Sequence, residues 1–66
     1  MNIRINGRDE RRPEALTLED LVAEKRLAPE QIVIEYNREI VPRERWPKLV
    51  LKEGDAVEIV SFVGGG

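Results

Sequence analysis

The chain carries 13 acidic and 11 basic side chains but no cysteine and no histidine. It therefore lacks a thiol nucleophile, a thiolate or imidazole metal ligand, and the one side chain that ordinarily titrates near neutral pH. The reactive group it does offer belongs to the backbone. The sequence closes on Gly64-Gly65-Gly66 directly after a strand-like run, which leaves an α-carboxylate on Gly66. Such a group, with a pKa of about 3.5, is an anion at neutral pH and a poor electrophile. It becomes an acyl donor only after activation, for instance as a mixed anhydride with AMP, by an enzyme that grips the last residues in a narrow channel around ATP. Glycine suits that grip, because without a Cβ its backbone can be approached closely. Three residues reach at most about 10 Å beyond the last strand, enough to enter a partner's cleft. The expectation is of a substrate handle, with Gly66 as the modified residue, Gly65 required for access and Gly64 part of the gripped segment. The catalytic groups then belong to the partner, and the chain is not itself an enzyme.

Two further sets of residues are candidates for partner binding. In the last strand-like run, Val57 and Ile59 take one phase, and Val60 and Phe62 alternate with Glu58 on the other. Val33 points the same outward way from a neighbouring run, so Val33, Val60 and Phe62 are expected to form an apolar patch beside the tail, and such patches mark partner sites. Arg43, in Pro42-Arg43-Glu44-Arg45-Trp46, is a candidate to pair with a partner carboxylate. Trp46 in the same stretch reads as core, since a small domain needs every large apolar side chain. Arg8, Arg11 and Arg12, interleaved with Asp9, Glu10 and Glu14, read as a solvated edge.

The elements that must position these residues follow from periodicity. Ile3 and Ile5 alternate with Arg4, a half-buried strand, and Asn6-Gly7 is a hairpin signal leading into a charged return strand, Arg8 to Arg12, that Pro13 ends. Thr17 caps a short helix whose Leu18, Leu21 and Val22 form one apolar stripe, with Lys25 and Arg26 in its last turn and Pro29 as its stop. Ile32 to Tyr36 is a β-branched strand with Ile32, Ile34 and Tyr36 on one face. Asn37-Arg38 turns into Glu39-Ile40-Val41, and residues 42–47 read as an irregular or 3₁₀ connection. Lys52-Glu53-Gly54-Asp55 is a turn before the final strand, Ala56 to Val63. The order β-β-α-β-β-β predicts an α+β domain of the β-grasp, ubiquitin-like type: a mixed sheet of four to five strands, one helix across one face, and the first and last strands parallel neighbours.

Length and charge bound the rest. At 66 residues there is room for one domain, expected over residues 1–63 with residues 64–66 as a flexible tail. Such a chain buries roughly 60% of its unfolded surface. A net charge of −2 and a pI near 5.1 are not the footprint of a nucleic-acid binder. No apolar run approaches the ~18 residues of a membrane span, and the first residues do not read as a signal peptide. The expectation is a cytoplasmic monomer with no nucleic-acid or membrane partner and no bound metal.

Over essentially its whole length the sequence resembles the ThiS sulfur carriers of thiamine biosynthesis. The resemblance rests on Asn37 followed by Ile40-Val41-Pro42-Arg43-Glu44 and Trp46, then Gly54-Asp55 before the last strand, and the Gly65-Gly66 end. It implies that a ThiF-like, E1-type adenylyltransferase uses Mg-ATP to adenylate the Gly66 carboxylate. A persulfide sulfur from a cysteine desulfurase system then displaces AMP to give a thiocarboxylate, and a ThiG-like thiazole synthase receives the sulfur. The chain itself would bind no cofactor. A related β-grasp sulfur carrier serving molybdopterin or cysteine is the alternative with the same tail, and a non-catalytic β-grasp interaction module is the alternative of a different class.

Overall fold

The computed structural model describes residues 1–62. Five strands form one mixed sheet: β1 (Asn2–Ile5), β2 (Arg8–Arg11), β3 (Ile32–Tyr36), β4 (Glu39–Ile40) and β5 (Ala56–Ser61), in the order β2-β1-β5-β3-β4. One helix, α1 (Leu18–Glu24), and a 3₁₀ segment, Arg43–Lys48, pack together to make the second layer. This is the expected β-grasp. The parallel pairing of β1 with β5 places Arg4 beside Ala56 and Ile5 beside Val57, and β3 runs antiparallel to β5 with Val33 opposite Val60.

Each hairpin closes as its sequence dictates. Asn6 and Gly7 both take positive φ (51° and 81°), as do Asn37 and Arg38 (49° and 74°), the sign pattern of the type I′ turn that matches strand twist. At Asn6 the side chain does more than turn the chain: its Oδ1 accepts from Ile59 N–H at 2.7 Å, extending the β1–β5 junction by one bond. Gly54, at φ 85°, lets the chain reverse into β5 while its N–H donates to Asn2 C=O.

Thr17 caps α1 reciprocally, its Oγ1 accepting from Asp20 N–H at 3.0 Å while Thr17 N–H donates to the Asp20 carboxylate at 3.0 Å. The helix ends earlier than Pro29 alone suggests, and Lys25 and Arg26 lie past its last turn. Arg26 sits at φ 56°, its N–H bonds Ala23 C=O, and Leu27 N–H bonds Val22 C=O. That is a Schellman closure with arginine where glycine is usual. Pro29 instead opens a 3₁₀ turn, Pro29–Gln31, that delivers the chain to β3.

The core lies between the layers: Ile3 and Ile5 from β1, Leu18, Leu21 and Val22 from α1, Ile32 and Ile34 from β3, Val57 from β5, and Val41, Trp46 and Leu51 from the connections. The arginine-rich edge differs from its expected fully solvated character. Arg12, beyond the end of β2, sits 2.6 Å from Glu10 and brings Nε within 2.7 Å of Glu24 on α1. The second contact is an ion pair without an aligned hydrogen bond, since that buried Nε–H finds no acceptor in its own direction. Lys25 joins the same cluster at 3.4 Å from Glu10. These charges strap the edge strand to the helix, because Glu10 stands opposite Ile3 and so faces the helix side of the sheet.

Candidate functional site

The helix covers one face of the sheet and leaves the other open. Direct antiparallel partners point to the same face, so Val33 and Val60 form one row across β3 and β5, and Glu35, Glu58 and Ile40 form the next across β3, β5 and β4. Val60 is 56% exposed and Phe62 59%, whereas Val33 is half-buried. Ile59, on the opposite phase, packs partly buried against the core, and Val57 is fully buried. The apolar patch read from strand phase is therefore present, with Val60 and Phe62 supplying most of its accessible surface. Phe62 N–H donates to Gln31 C=O at 3.1 Å, which holds the chain against the start of β3 just past the end of β5.

Electrostatics sharpen the face. Glu35 and Glu58 stand directly opposite each other, and among the described residues neither is within ion-pair distance of a cation. Two like charges so placed destabilise the isolated sheet. A partner that brings a cation over this row and an apolar socket over Val60 and Phe62 removes that cost and buries the patch.

Arg43 is not brought to this face. It begins the 3₁₀ segment that packs on α1, and it lines a shallow depression with Glu19, Glu44 and Pro47 in the helical layer. Trp46 in the same segment is buried, and its indole Nε1 donates to Val41 C=O at 3.1 Å, the structural role its size indicated. Gly64, Gly65 and Gly66, the residues on which the acyl chemistry was placed, lie outside the described residues, as does Val63.

A feature that strand periodicity does not announce is the polar knot at the other end of β5. Asp55 is buried and accepts from Tyr36 Oη at 2.7 Å, from Lys52 N–H at 2.7 Å and from Asn37 Nδ2 at 3.3 Å. Asn37 also accepts from Ala56 N–H at 2.9 Å. Burial, then the hydrogen bond to Asp55 and its negative charge, push the Tyr36 hydroxyl from 10.0 up to about 12. The Asn37 and Gly54-Asp55 signals mark its members in the sequence, but only the fold brings them into contact. Among the described residues there is no cluster of acidic side chains that could hold a metal ion, and no helix long and apolar enough to cross a membrane.

The ThiS family model matches residues 3–66. The chain is 37% identical over 65 residues to the sulfur carrier protein ThiS of Bacillus subtilis, covering 97% of this chain and 98% of that one. It is 38% identical over 66 residues to a thiazole synthase of Magnetococcus marinus, and it spans about a fifth of the length of the thiazole synthases it matches. The crystal structure of ThiS from Geobacter metallireducens superposes with a TM-score of 0.85 at 35% identity, covering all of both chains.

Proposed function

The chain belongs to the ThiS family, and on that premise we propose that it carries sulfur on Gly66 for the thiazole of thiamine. In this reading a ThiF-like adenylyltransferase joins the Gly66 carboxylate to AMP from Mg-ATP, with pyrophosphate as the leaving group. The outer sulfur of a protein persulfide, supplied by a cysteine desulfurase, attacks the acyl carbon and AMP departs. Cleavage of the resulting S–S bond by a thiol leaves the thiocarboxylate, and a thiazole synthase takes up its sulfur. The observation that carries the proposal is the end-to-end match to the Bacillus subtilis carrier, together with a family match that runs through Gly65-Gly66. Thiazole synthases that contain a segment similar to this whole chain support the choice of acceptor.

The side chains supply docking. The Val60 and Phe62 patch sits where β5 ends, two residues before Gly64, so a partner seated on it has the tail within reach of its own cleft. The Glu35 and Glu58 row gives that partner an electrostatic register.

Intact mass spectrometry after incubation with ATP, the adenylyltransferase and a sulfur source tests the chemistry. Exchange of one carboxylate oxygen for sulfur adds about 16 Da, and the Gly65→Ala, Gly66→Ala double variant stays at its starting mass. An unchanged mass for the unaltered chain would overturn the reading. Phe62→Arg is expected to leave the unfolding midpoint in place and to weaken binding to the adenylyltransferase at least about tenfold, the scale of an interface anchor.

A further inference from the structure

The structure holds a second pair of exposed apolar side chains, at the β4 edge of the sheet. Ile40 is 68% exposed and Val50 48%, and both line one cleft of about 380 Å³ together with Tyr36, the anion Glu39 and the cations Arg45, Lys48 and Lys52. Through Glu35, Ile40 stands level with Glu58, the third residue of β5, four residues before Phe62.

The backbone of both walls is unpaired on one side. In the β3–β4 hairpin Val41 N–H donates to Ile34 C=O. Antiparallel pairs alternate, so Glu35 and Ile40 are a pair that exchanges no backbone bond. The N–H and C=O of Ile40 therefore point away from β3, along the free edge of the sheet, where β4 is the last strand. The same holds at Val50. It bridges Thr17, and the bonds that make the bridge run from Leu18 N–H to Leu49 C=O and from Leu51 N–H to Leu16 C=O. That leaves the N–H and C=O of Val50 directed away from Thr17. Two extended segments thus each carry a free donor and a free acceptor beside one cleft.

The charge of this cleft is opposite to that of the chain. The protein has a net charge of −2, yet the lining of this cleft holds three cations, Arg45, Lys48 and Lys52, against the one anion Glu39. Arg45, Lys48 and Lys52 make no side-chain ion pair among the described residues. A short strand edge that carries exposed apolar side chains is normally blunted by charge or cover; here β4 carries one charge, Glu39, and the three cations that line the cleft outnumber it.

We propose that this cleft docks an extended acidic segment of a partner protein by strand addition, with an apolar side chain seated between Ile40 and Val50. Successive residues of a strand present their N–H and C=O to opposite sides. One residue of the guest can therefore bond Ile40 while its neighbour bonds Val50, and carboxylates on either side of the apolar anchor meet Arg45, Lys48 and Lys52. Backbone bonds provide affinity and the alternate side chains provide specificity, as in other strand additions. The cleft shares Ile40 with the Glu35 and Glu58 row of the open face but includes neither Val60 nor Phe62.

The test is an NMR titration of the ¹⁵N-labelled full chain with the acetylated peptide Asp-Glu-Val-Asp-Val-Glu-Asp. Saturable shifts and slowed exchange of the Ile40 and Val50 amides are expected, weakened by added salt. The peptide with every acid replaced by lysine should produce neither. Lys48→Glu with Lys52→Glu should raise Kd at least tenfold, whereas Phe62→Arg should leave it unchanged, which separates this proposal from the docking role of the open face. No shift at Ile40 and Val50 at millimolar peptide, an equal response to the lysine peptide, shifts confined to Val33, Val60 and Phe62, or tighter binding of ATP at the same amides would each overturn it.

Discussion

At the scale of single residues, the buried carboxylate of Asp55 organises more of the molecule than any other polar group. It gathers a phenol from the end of β3, a side-chain amide from the hairpin turn and a backbone N–H from the turn before β5. Charge-assisted bonds of this kind are worth about 1.5–3 kcal/mol each when one partner is removed. Tyr36→Phe is expected to lower stability near neutral pH by about that amount, measured by urea unfolding. The pH dependence has a definite sign. The folded chain holds the Tyr36 proton more tightly than the unfolded chain, with a folded pKa of about 12 against 10.0. The contribution is therefore fully present below pH 10 and lost as pH rises towards 12. Tyr36 is the only tyrosine, so tyrosinate absorbance reports its titration directly, and the Phe variant should lose less stability across that same alkaline window than the unaltered chain.

At the scale of elements, the turns show how far local sequence reaches. Asn6-Gly7 and Thr17 with Asp20 carry signals strong enough to be read without a structure, because positive φ and helix capping are tied to particular residue types. Arg26 and Arg38 carry no such signal, and yet both sit at positive φ, Arg26 closing the helix and Arg38 completing the second hairpin turn. Packing fixes them there: Leu27 must reach the core after α1, and β4 must return beside β3. Residues with a Cβ are disfavoured in this region. Arg26→Gly and Arg38→Gly are each expected to raise stability by about 0.4–1 kcal/mol, since both side chains are exposed and the strain is relieved without loss of a buried contact. Thermal unfolding of the two variants checks this, and a fall in midpoint would mean that the arginine side chains contribute more than their backbone costs.

At the scale of the whole molecule, the core is one thin layer shared by β1, α1, β3, β5 and the connections, and with no cysteine in the chain no disulfide supports it. A domain of this length has a total stability of roughly 3–10 kcal/mol, and α1 contributes only seven residues. Leu21, fully buried at the centre of the helix stripe, is expected to cost about 2–5 kcal/mol as Leu21→Ala, so this one change should consume a large share of the total. Circular dichroism against urea at 25 °C reads it. The same economy explains the division of surfaces: one short helix and the 3₁₀ segment Arg43–Lys48 packed on it cover one sheet face and leave the other open.

Residue types and spacing alone determined the strand and helix order, the β-grasp topology, the inward phase of Ile3, Ile5, Ile34 and Val57, and the outward phase of Val60 and Phe62. Each depends on a period of two, on the 3.6-residue helical repeat or on a turn dipeptide, all of which are local properties. The absence of cysteine and histidine likewise leaves the backbone carboxylate as the candidate reactive group. Tertiary structure decided what depends on distance between remote segments. It set Arg43 in the helical layer away from the open face, bound Arg12 to Glu24 across the edge of the sheet, drew Asp55, Tyr36 and Asn37 into one knot, and laid Ile40 beside Val50. No periodicity encodes those meetings, because each joins segments whose separation is fixed only when the core closes around them.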